Sequence, residues 1–460
     1  MSSISPVTST GTRSGKQSWP PGPKARPILG LLPEFRHNPA DFLLEIAGKY
    51  GDLVHFRVGP RGHIFLLNRP DYVQDLLVTH QSKFIKSRML QRSKPLLGEG
   101  LLTSEGQFHL RQRRLAQPAF HRDRLIGYAV AMTECSVQEA DRWHDGETRN
   151  IAQDMMHLTL KIVARTLFSA DVEEESKAVG EALDAMLGMF NTLMLPWADL
   201  MQKLPLPSTK RFAKSREDLD RVIYGIIRAR RASGEDKGDL LSMLLMAQDE
   251  QGDGGGMTDI QVRDEALTLF LAGHETTANL LTWTWYLLSQ HPDAEAKLHQ
   301  ELQEVLGGRP PEFADLPRLR YTEMVLAESM RLYPPAWGIG RMGLEDYVVE
   351  GYTIPKGSII LVSPYAMHRH PRYWPEPDRF DPERWTPEAR EARPKFAYFP
   401  FGGGARLCIG ERFAWMEGSL ALATSAQKWK LRLVPGHKVE HLPQLTLRTR
   451  YGMQMTLEHR

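Results

Sequence analysis

Phe401-Gly402-Gly403-Gly404-Ala405-Arg406-Leu407-Cys408-Ile409-Gly410 is the stretch on which the reading of this chain turns. The residues after it, Glu411 through Leu422, carry helical spacing, so Cys408 is expected at or just before a helix N-terminus. Backbone N–H groups and the helix dipole there favour a thiolate over a thiol. The glycines let the loop lie flat against a planar ligand, and Arg406 can reach an anionic edge of that ligand. Most lone cysteines are buried structural residues. Here the loop, the arginine and the helix start together read as a device for presenting one thiolate to a metal.

Working outward, the 460 residues, 42% of them hydrophobic, are enough for a large core. A formal net charge of +2 argues against a generally basic surface for nucleic acid. Two cysteines far apart in sequence give no disulfide framework and suit a reducing compartment; Cys135 reads as a buried helix residue. Residues 1–18 are rich in Ser, Thr and Gly and precede Trp19-Pro20-Pro21-Gly22-Pro23, so they read as a disordered tail on a single domain, 19–460. No run reaches the roughly 20 uninterrupted apolar residues of a membrane span. The expectation is a soluble, cytoplasmic protein without a transmembrane anchor.

Val54–Val58 and His63–Leu67 flank Gly59-Pro60-Arg61-Gly62 and read as a β-hairpin. From 121 to 306 the periodicity is helical, with a break at Pro205-Leu206-Pro207 and a connector around Gly252–Gly256. Tyr352–Val362 looks like two strands around a turn. The longest helix is expected from Asp259 to Gln290, with Thr258 and Gln261 as a capping box and His291-Pro292 as the stop. At that length it spans roughly 45–50 Å. Its centre, Ala272-Gly273-His274-Glu275-Thr276-Thr277, places polar groups mid-helix among apolar neighbours, which is costly and points to function.

The cysteine loop matches Phe-x-x-Gly-x-Arg-x-Cys-x-Gly at every specified position and so resembles the proximal loop of the cytochrome P450 superfamily. The resemblance implies a mainly α fold with a small β lobe near the N-terminus and a long central helix over haem b. Cys408 would be the axial ligand, with Phe401, Gly402 and Gly410 shaping the loop. By the same resemblance, Thr276 serves oxygen activation, Glu275 supplies protons, Ala272 and Gly273 face the oxygen pocket, and the glycine lets the helix bulge. Glu328 and Arg331 of Glu-Ser-Met-Arg would bind Arg384 of Phe380-Asp381-Pro382-Glu383-Arg384-Trp385 in a buried triad that holds the cysteine loop. Trp385 stands where Phe is more usual. Arg113, His109, Arg341 and Arg406 would hold the two propionates. The substrate pocket would draw on Phe84, Ile85, Phe190, Ile339 and Met453, with Met189, Met194 and Met201 in its lid.

The implied activity is monooxygenation: one atom of O2 enters a hydrophobic substrate, such as a fatty acid, terpene or steroid, and the other leaves as water. No Gly-x-Gly-x-x-Gly motif follows a strand and no cysteine cluster could hold iron–sulfur, so electrons come from separate proteins, a ferredoxin- or flavodoxin-type donor and its reductase. Arg111, Arg114, Arg122, Arg124, Lys428 and Lys430 would form its basic docking face. A monomer is expected. Two other functions fit a haem-thiolate loop: a peroxygenase or isomerase, which needs no donor but usually lacks the acid–Thr pair, and a gas sensor, which needs neither that pair nor a large apolar pocket.

Overall fold

The computed structural model describes residues 18–460, apart from 61, 170–206, 250–251 and 253. Phe190, Met189, Met194, Met201, the tail before Ser18 and most of the Pro205–Pro207 break lie outside the described residues. The helices used below are α1 (Leu32–His37), α2 (Pro39–Tyr50), α3 (Arg88–Arg92), α4 (Gly106–Ala116), α5 (Arg122–Ala140), α6 (Ile151–Phe168), α7 (Pro207–Ser233), α8 (Asp259–Gln290), α9 (Arg320–Leu332) and α10 (Glu411–Lys428).

Helix α8 is the axis of the fold. It starts where Thr258 Oγ1 accepts from the Gln261 N–H and the Gln261 side chain accepts from the Thr258 N–H at 2.9 Å, and it stops at His291 before Pro292. Two of the four orphan N–H groups at its start are thereby satisfied. Helices α6, α7, α9 and α10 pack around it. Trp283 and Trp285 on its C-terminal half are almost fully buried. Trp283 stacks on Tyr333 at 3.9 Å and donates to the Leu447 carbonyl at 2.9 Å. Burying one such side chain contributes about 1.5–3 kcal/mol, and its N–H needs the partner it has found. Cys135 is buried in α5.

The β lobe is a five-stranded sheet in the order β1-β2-β8-β5-β3, where β1 is Leu53–Val58, β2 Gly62–Leu67, β3 Phe84–Lys86, β5 Ile339–Gly343 and β8 Ile359–Val362. The expected hairpin is β1–β2, with Leu53 opposite Leu67. Two of the five strands arrive from far down the chain: β8 runs parallel to β2, and β5 bridges β8 and β3. The strands expected in Tyr352–Val362 form but do not pair with each other. Tyr352–Ile354 (β7) pairs with Tyr347–Val349 (β6), because Ile360 and Val362 of β8 are buried in the lobe core instead. Three further strands matter later: β10 (His441–Pro443), β11 (Leu447–Thr449), and β12 (Gln454–His459), which carries Met455 into the main core. Among the described residues, no helix is long and apolar enough to cross a membrane.

Candidate active site

A cavity of about 710 Å³ lies between α8, the cysteine loop and the β lobe. Ala272, Gly273, Thr276 and Thr277 of α8 line it, as do Ile339 and Arg341 of β5, and Phe401, Gly402, Arg406, Cys408 and Gly410 of the loop. Cys408 is exposed and lines this space. Cys408 lies three residues before the first residue of α10, as the spacing predicted.

The loop is built to hold its shape. Cys408 N–H donates to the Phe401 carbonyl at 3.0 Å, and Gly402 N–H donates to the Phe399 carbonyl at 3.0 Å. Phe399 N–H in turn donates to His368 Nε2 at 3.0 Å, and the His368 carbonyl accepts from Arg331 at 2.9 Å. A continuous polar chain therefore runs from the cysteine to α9. Ala405 N–H is caught by Gln81 Oε1 at 2.9 Å. Gly404 sits at φ +67°, and a Cβ there would fall 1.9 Å from the Leu77 carbonyl, so only glycine serves.

At the end of that chain, Glu328 and Arg331 are fully buried and paired two-fold, Nε to Oε2 and Nη2 to Oε1, both at 2.8 Å. Arg384 Nε approaches Glu328 at 3.4 Å, completing the expected triad. Trp385 is more than a large substitute for Phe: its indole N–H donates to Glu328 Oε2 at 2.9 Å, while Asp381 N–H donates to Oε1 at 2.9 Å. Every lone pair the carboxylate can offer is used, which is the condition under which a buried charge is tolerated.

The opposite wall behaves differently. Lys86, Arg341 and Arg406 all line the cavity. Burial, and then the neighbouring Arg341 and Arg406, hold Lys86 well below the usual ammonium range; burial and Arg406 push Arg341 down to about 10. Glu105 pairs with Arg406, and Arg406 Nη1 is buried with no hydrogen-bond partner among the described residues. Three crowded cations facing an apolar cavity, one donor unsatisfied, are a cradle for a group carrying more than one negative charge. Lys86 was missed in sequence: a lysine in Phe84-Ile85-Lys86 gives no sign that strand pairing with β5 will bury it against Arg341.

Six residues expected at the site lie off the cavity wall. Arg113 is off the cavity wall, its guanidinium donating to the Leu407 carbonyl at 2.7 Å, so it braces the cysteine loop from behind. His109 is likewise off the wall, buried in α4, where burial and the nearby Arg406 and Lys86 push its pKa down to about 3, leaving a neutral ring with one N–H to donate. Glu275 points away from the cavity: it accepts from Thr446 at 2.6 Å and from Arg448 at 2.5 Å, pinning α8 to β11. Phe84, Ile85 and Met453 do not line the cavity; Phe84 packs edge-on to Tyr347 at 5.1 Å and Met453 lies in the main core.

The remaining expected residues sit as follows. Thr276 lines the cavity and its hydroxyl donates to the Ala272 carbonyl at 2.6 Å. Gly273 does not open a bulge, since α8 is continuous through it; a Cβ there would meet Val163 of α6 at 3.0 Å, so glycine permits close helix packing. Burial pushes the Cys408 thiol up to about 11, with the Gly410 N–H and Arg113 pulling the other way. Position near a helix start does not by itself ionise the thiol; a bound metal does. Of the basic residues expected to meet an electron donor, Arg111 and Arg114 are engaged by Asp249, Arg124 by Asp236 and Lys428 by Asp141, leaving Arg122 and Lys430 without an ion pair among the described residues.

A cysteine sulfur on the wall of an apolar cavity, with cations gathered beside it, is the donor set of a haem-thiolate protein. The comparisons agree: the family model for Cytochrome P450 matches residues 20–456. The chain is 40% identical to the cyclooctatin synthase of Streptomyces melanosporofaciens over 439 residues, 95% of this chain and 94% of that one. It is 38% identical to the cyclooctat-9-en-7-ol 5-monooxygenase of the same organism, covering 92% of each. It is 36% identical to the pentalenene oxygenase of Streptomyces avermitilis, covering 92% and 94%. The chain belongs to the cytochrome P450 family. It is a haem-thiolate monooxygenase that takes O2, a hydrophobic substrate and electrons from redox partners. The residues present fit haem b: Cys408 offers the sulfur, and Lys86, Arg341 and Arg406 offer donors for two carboxylates.

Proposed function

We propose that this enzyme oxygenates a terpenoid skeleton, with Cys408 as iron ligand, Lys86, Arg341 and Arg406 as the propionate cradle, and Thr276 as the residue that handles protons on the substrate side. The observation that carries the reading is the cavity itself, apolar through Leu102, Phe120, Leu269, Leu280 and Trp337, with Cys408 and Thr276 both on its wall. Relatives named for oxygenating cyclooctat-9-en-7-ol and pentalenene support a terpenoid over a fatty acid or steroid. Haem held by a thiolate supplies the iron at which O2 is reduced, so that one oxygen atom enters the substrate.

The chain's own residues supply the rest. The cavity lining excludes water and orients an apolar substrate by shape. Thr276 keeps its proton on the Ala272 carbonyl in the resting geometry, leaving its oxygen free to accept from water, so it can pass a proton by exchanging partners. Glu275 is one residue away but locked to Arg448; its contribution is to fix α8 and, on release from Arg448, to feed protons from outside the cavity. The two free cysteines suit a cytoplasmic monomer, and Arg122 and Lys430 suit an acidic ferredoxin- or flavodoxin-type donor.

Two measurements test this. The dithionite-reduced protein with carbon monoxide should give a strongly red-shifted Soret band that disappears in Cys408→Ala; an imidazole-type band in folded protein would remove Cys408. Thr276→Ala should keep that band yet divert reducing equivalents to hydrogen peroxide. Unchanged coupling of electrons to product would remove Thr276 from the proton role.

A further inference from the structure

Residues 1–33 hold four basic residues, Arg13, Lys16, Lys24 and Arg26, and no Asp or Glu, although the whole chain carries 58 Lys and Arg against 56 Asp and Glu. Charge balance fails in this one stretch, and a basic stretch points to an anionic partner. The first acid is Glu34, and Arg26 already engages it at 2.7 Å. Lys24 and Arg36 are exposed and make no ion pair among the described residues. Inside the same stretch, Pro27-Ile28-Leu29 stands out into solvent. Ile28 is 73% exposed, more than any other large apolar side chain among the described residues, and Leu29 is 43% exposed. Elsewhere such side chains are exposed singly, which is ordinary for a protein surface; these two are consecutive.

The backbone holds the pair in place. Gly30 N–H donates to the Arg26 carbonyl at 3.1 Å and Arg26 N–H to the Gly30 carbonyl at 3.3 Å, which closes a turn with Ile28 and Leu29 at its tip. Arg57 of β1 braces it from below, its Nη2 donating to the Arg26 and Pro27 carbonyls at 3.0 and 3.1 Å. Gly30 sits at φ +60°, and a Cβ there would fall 2.2 Å from the Arg57 carbonyl, so the turn is pressed onto the strand. Its apolar tip is therefore presented in advance, and little ordering is left for a partner to impose. The turn also adjoins the cavity through hydrogen bonds. Gly59 N–H donates to the Leu29 carbonyl at 2.9 Å, and Val58 and Pro60 on either side of Gly59 line the cavity. So do Leu32 and Phe35 of α1, which follows the turn.

We propose that this turn docks the protein peripherally on an anionic lipid surface, with Ile28 and Leu29 entering the boundary between headgroups and acyl chains and Lys24 and Arg36 meeting the acidic headgroups. A short apolar insertion joined to cations is the two-signal arrangement that reversible membrane binding requires. An acidic protein would use the cations and leave the apolar pair without a role. Docking at this turn sets the margin of the cavity against the phase in which a hydrophobic substrate dissolves.

The test is sedimentation of the haem-loaded protein with vesicles of phosphatidylcholine, alone or with about one-third phosphatidylglycerol. Binding to the anionic vesicles should be about tenfold tighter and should weaken as salt rises. Ile28→Ser/Leu29→Ser should weaken that binding about tenfold or more, and Lys24→Gln/Arg36→Gln should remove the preference for anionic lipid. All four side chains are exposed, so haem content and Tm should stay at parental values in both variants. No binding to either vesicle overturns the proposal, as does binding that survives the serine pair, since cations alone would then account for it. A concentration-dependent dimer in lipid-free buffer that the serine pair dissolves would assign the turn to a second copy of this chain instead. No substrate enters the assay, so none of these outcomes bears on the oxygenase reading.

Discussion

The two sides of the cysteine make an instructive pair. Behind it, from Phe401 through His368 to Glu328, the opposite charges of Glu328 and Arg331 are paired and the Glu328 carboxylate is used on both oxygens, although His368 Nδ1 and Arg384 Nε make no hydrogen bond. In front of it, Lys86, Arg341 and Arg406 crowd together with a buried donor unpaired. A satisfied buried network is structure; a strained, like-charged one is a site waiting for its complement. The same physics should make the two regions respond to mutation with opposite sign in the haem-free protein.

The sharpest break is on the satisfied side. Glu328→Ala strands Arg331 in the core and should cost about 3–5 kcal/mol, read as loss of folded protein in denaturant titration. A loss below about 1 kcal/mol would mean that the network is dispensable. On the cradle side, Arg341→Met should leave the haem-free chain at least as stable as the parent, because it relieves repulsion with Arg406, yet weaken haem retention roughly tenfold or more, read by transfer of haem to an acceptor protein. Haem retention unchanged would dissolve the contrast.

A pH prediction sharpens it further. Glu417 of α10 is fully buried and neither oxygen meets a partner by hydrogen-bond geometry, the Thr277 hydroxyl being its nearest polar company; burial pushes its pKa up to about 8. The unfolded chain ionises this group near 4.5 and the folded one near 8, so in between the folded state binds the extra proton. Stability from the neutral carboxyl is therefore complete below about 4.5 and is lost as pH rises to about 8. Glu417→Gln should raise Tm by several degrees at pH 8 and much less at pH 5. Equal shifts at both would show that the acid is not held neutral. The smallest effect expected is Trp385→Phe, which removes one donor to Glu328 and should cost about 1–2 kcal/mol, read as a lower denaturant midpoint with haem content retained.

The sequence was most legible where function and local order coincide. The loop around Cys408, the ends of α8 with their Thr258–Gln261 box, and the Glu328–Arg331 pair are local patterns, three to ten residues long, and each forms as expected. What was misread depended on which way a side chain turns. Arg113 and His109 sit at familiar spacing on α4, but their helix faces turn them behind the loop and into the core. Glu275 adjoins Thr276, yet neighbours on a helix point about 100° apart, so one faces the cavity and the other Arg448.

By itself, then, the order of residues determined the family, the cysteine loop, the central helix and the Glu328–Arg331 pair, because each is written in contiguous residues whose backbone chemistry admits few alternatives. Only the tertiary structure decided that β8 inserts between β2 and β5 and that Lys86 joins Arg341 and Arg406. Those groupings unite residues separated by up to 320 positions in the chain. Their charges perturb one another only when folding removes the water between them, and no local pattern encodes that approach.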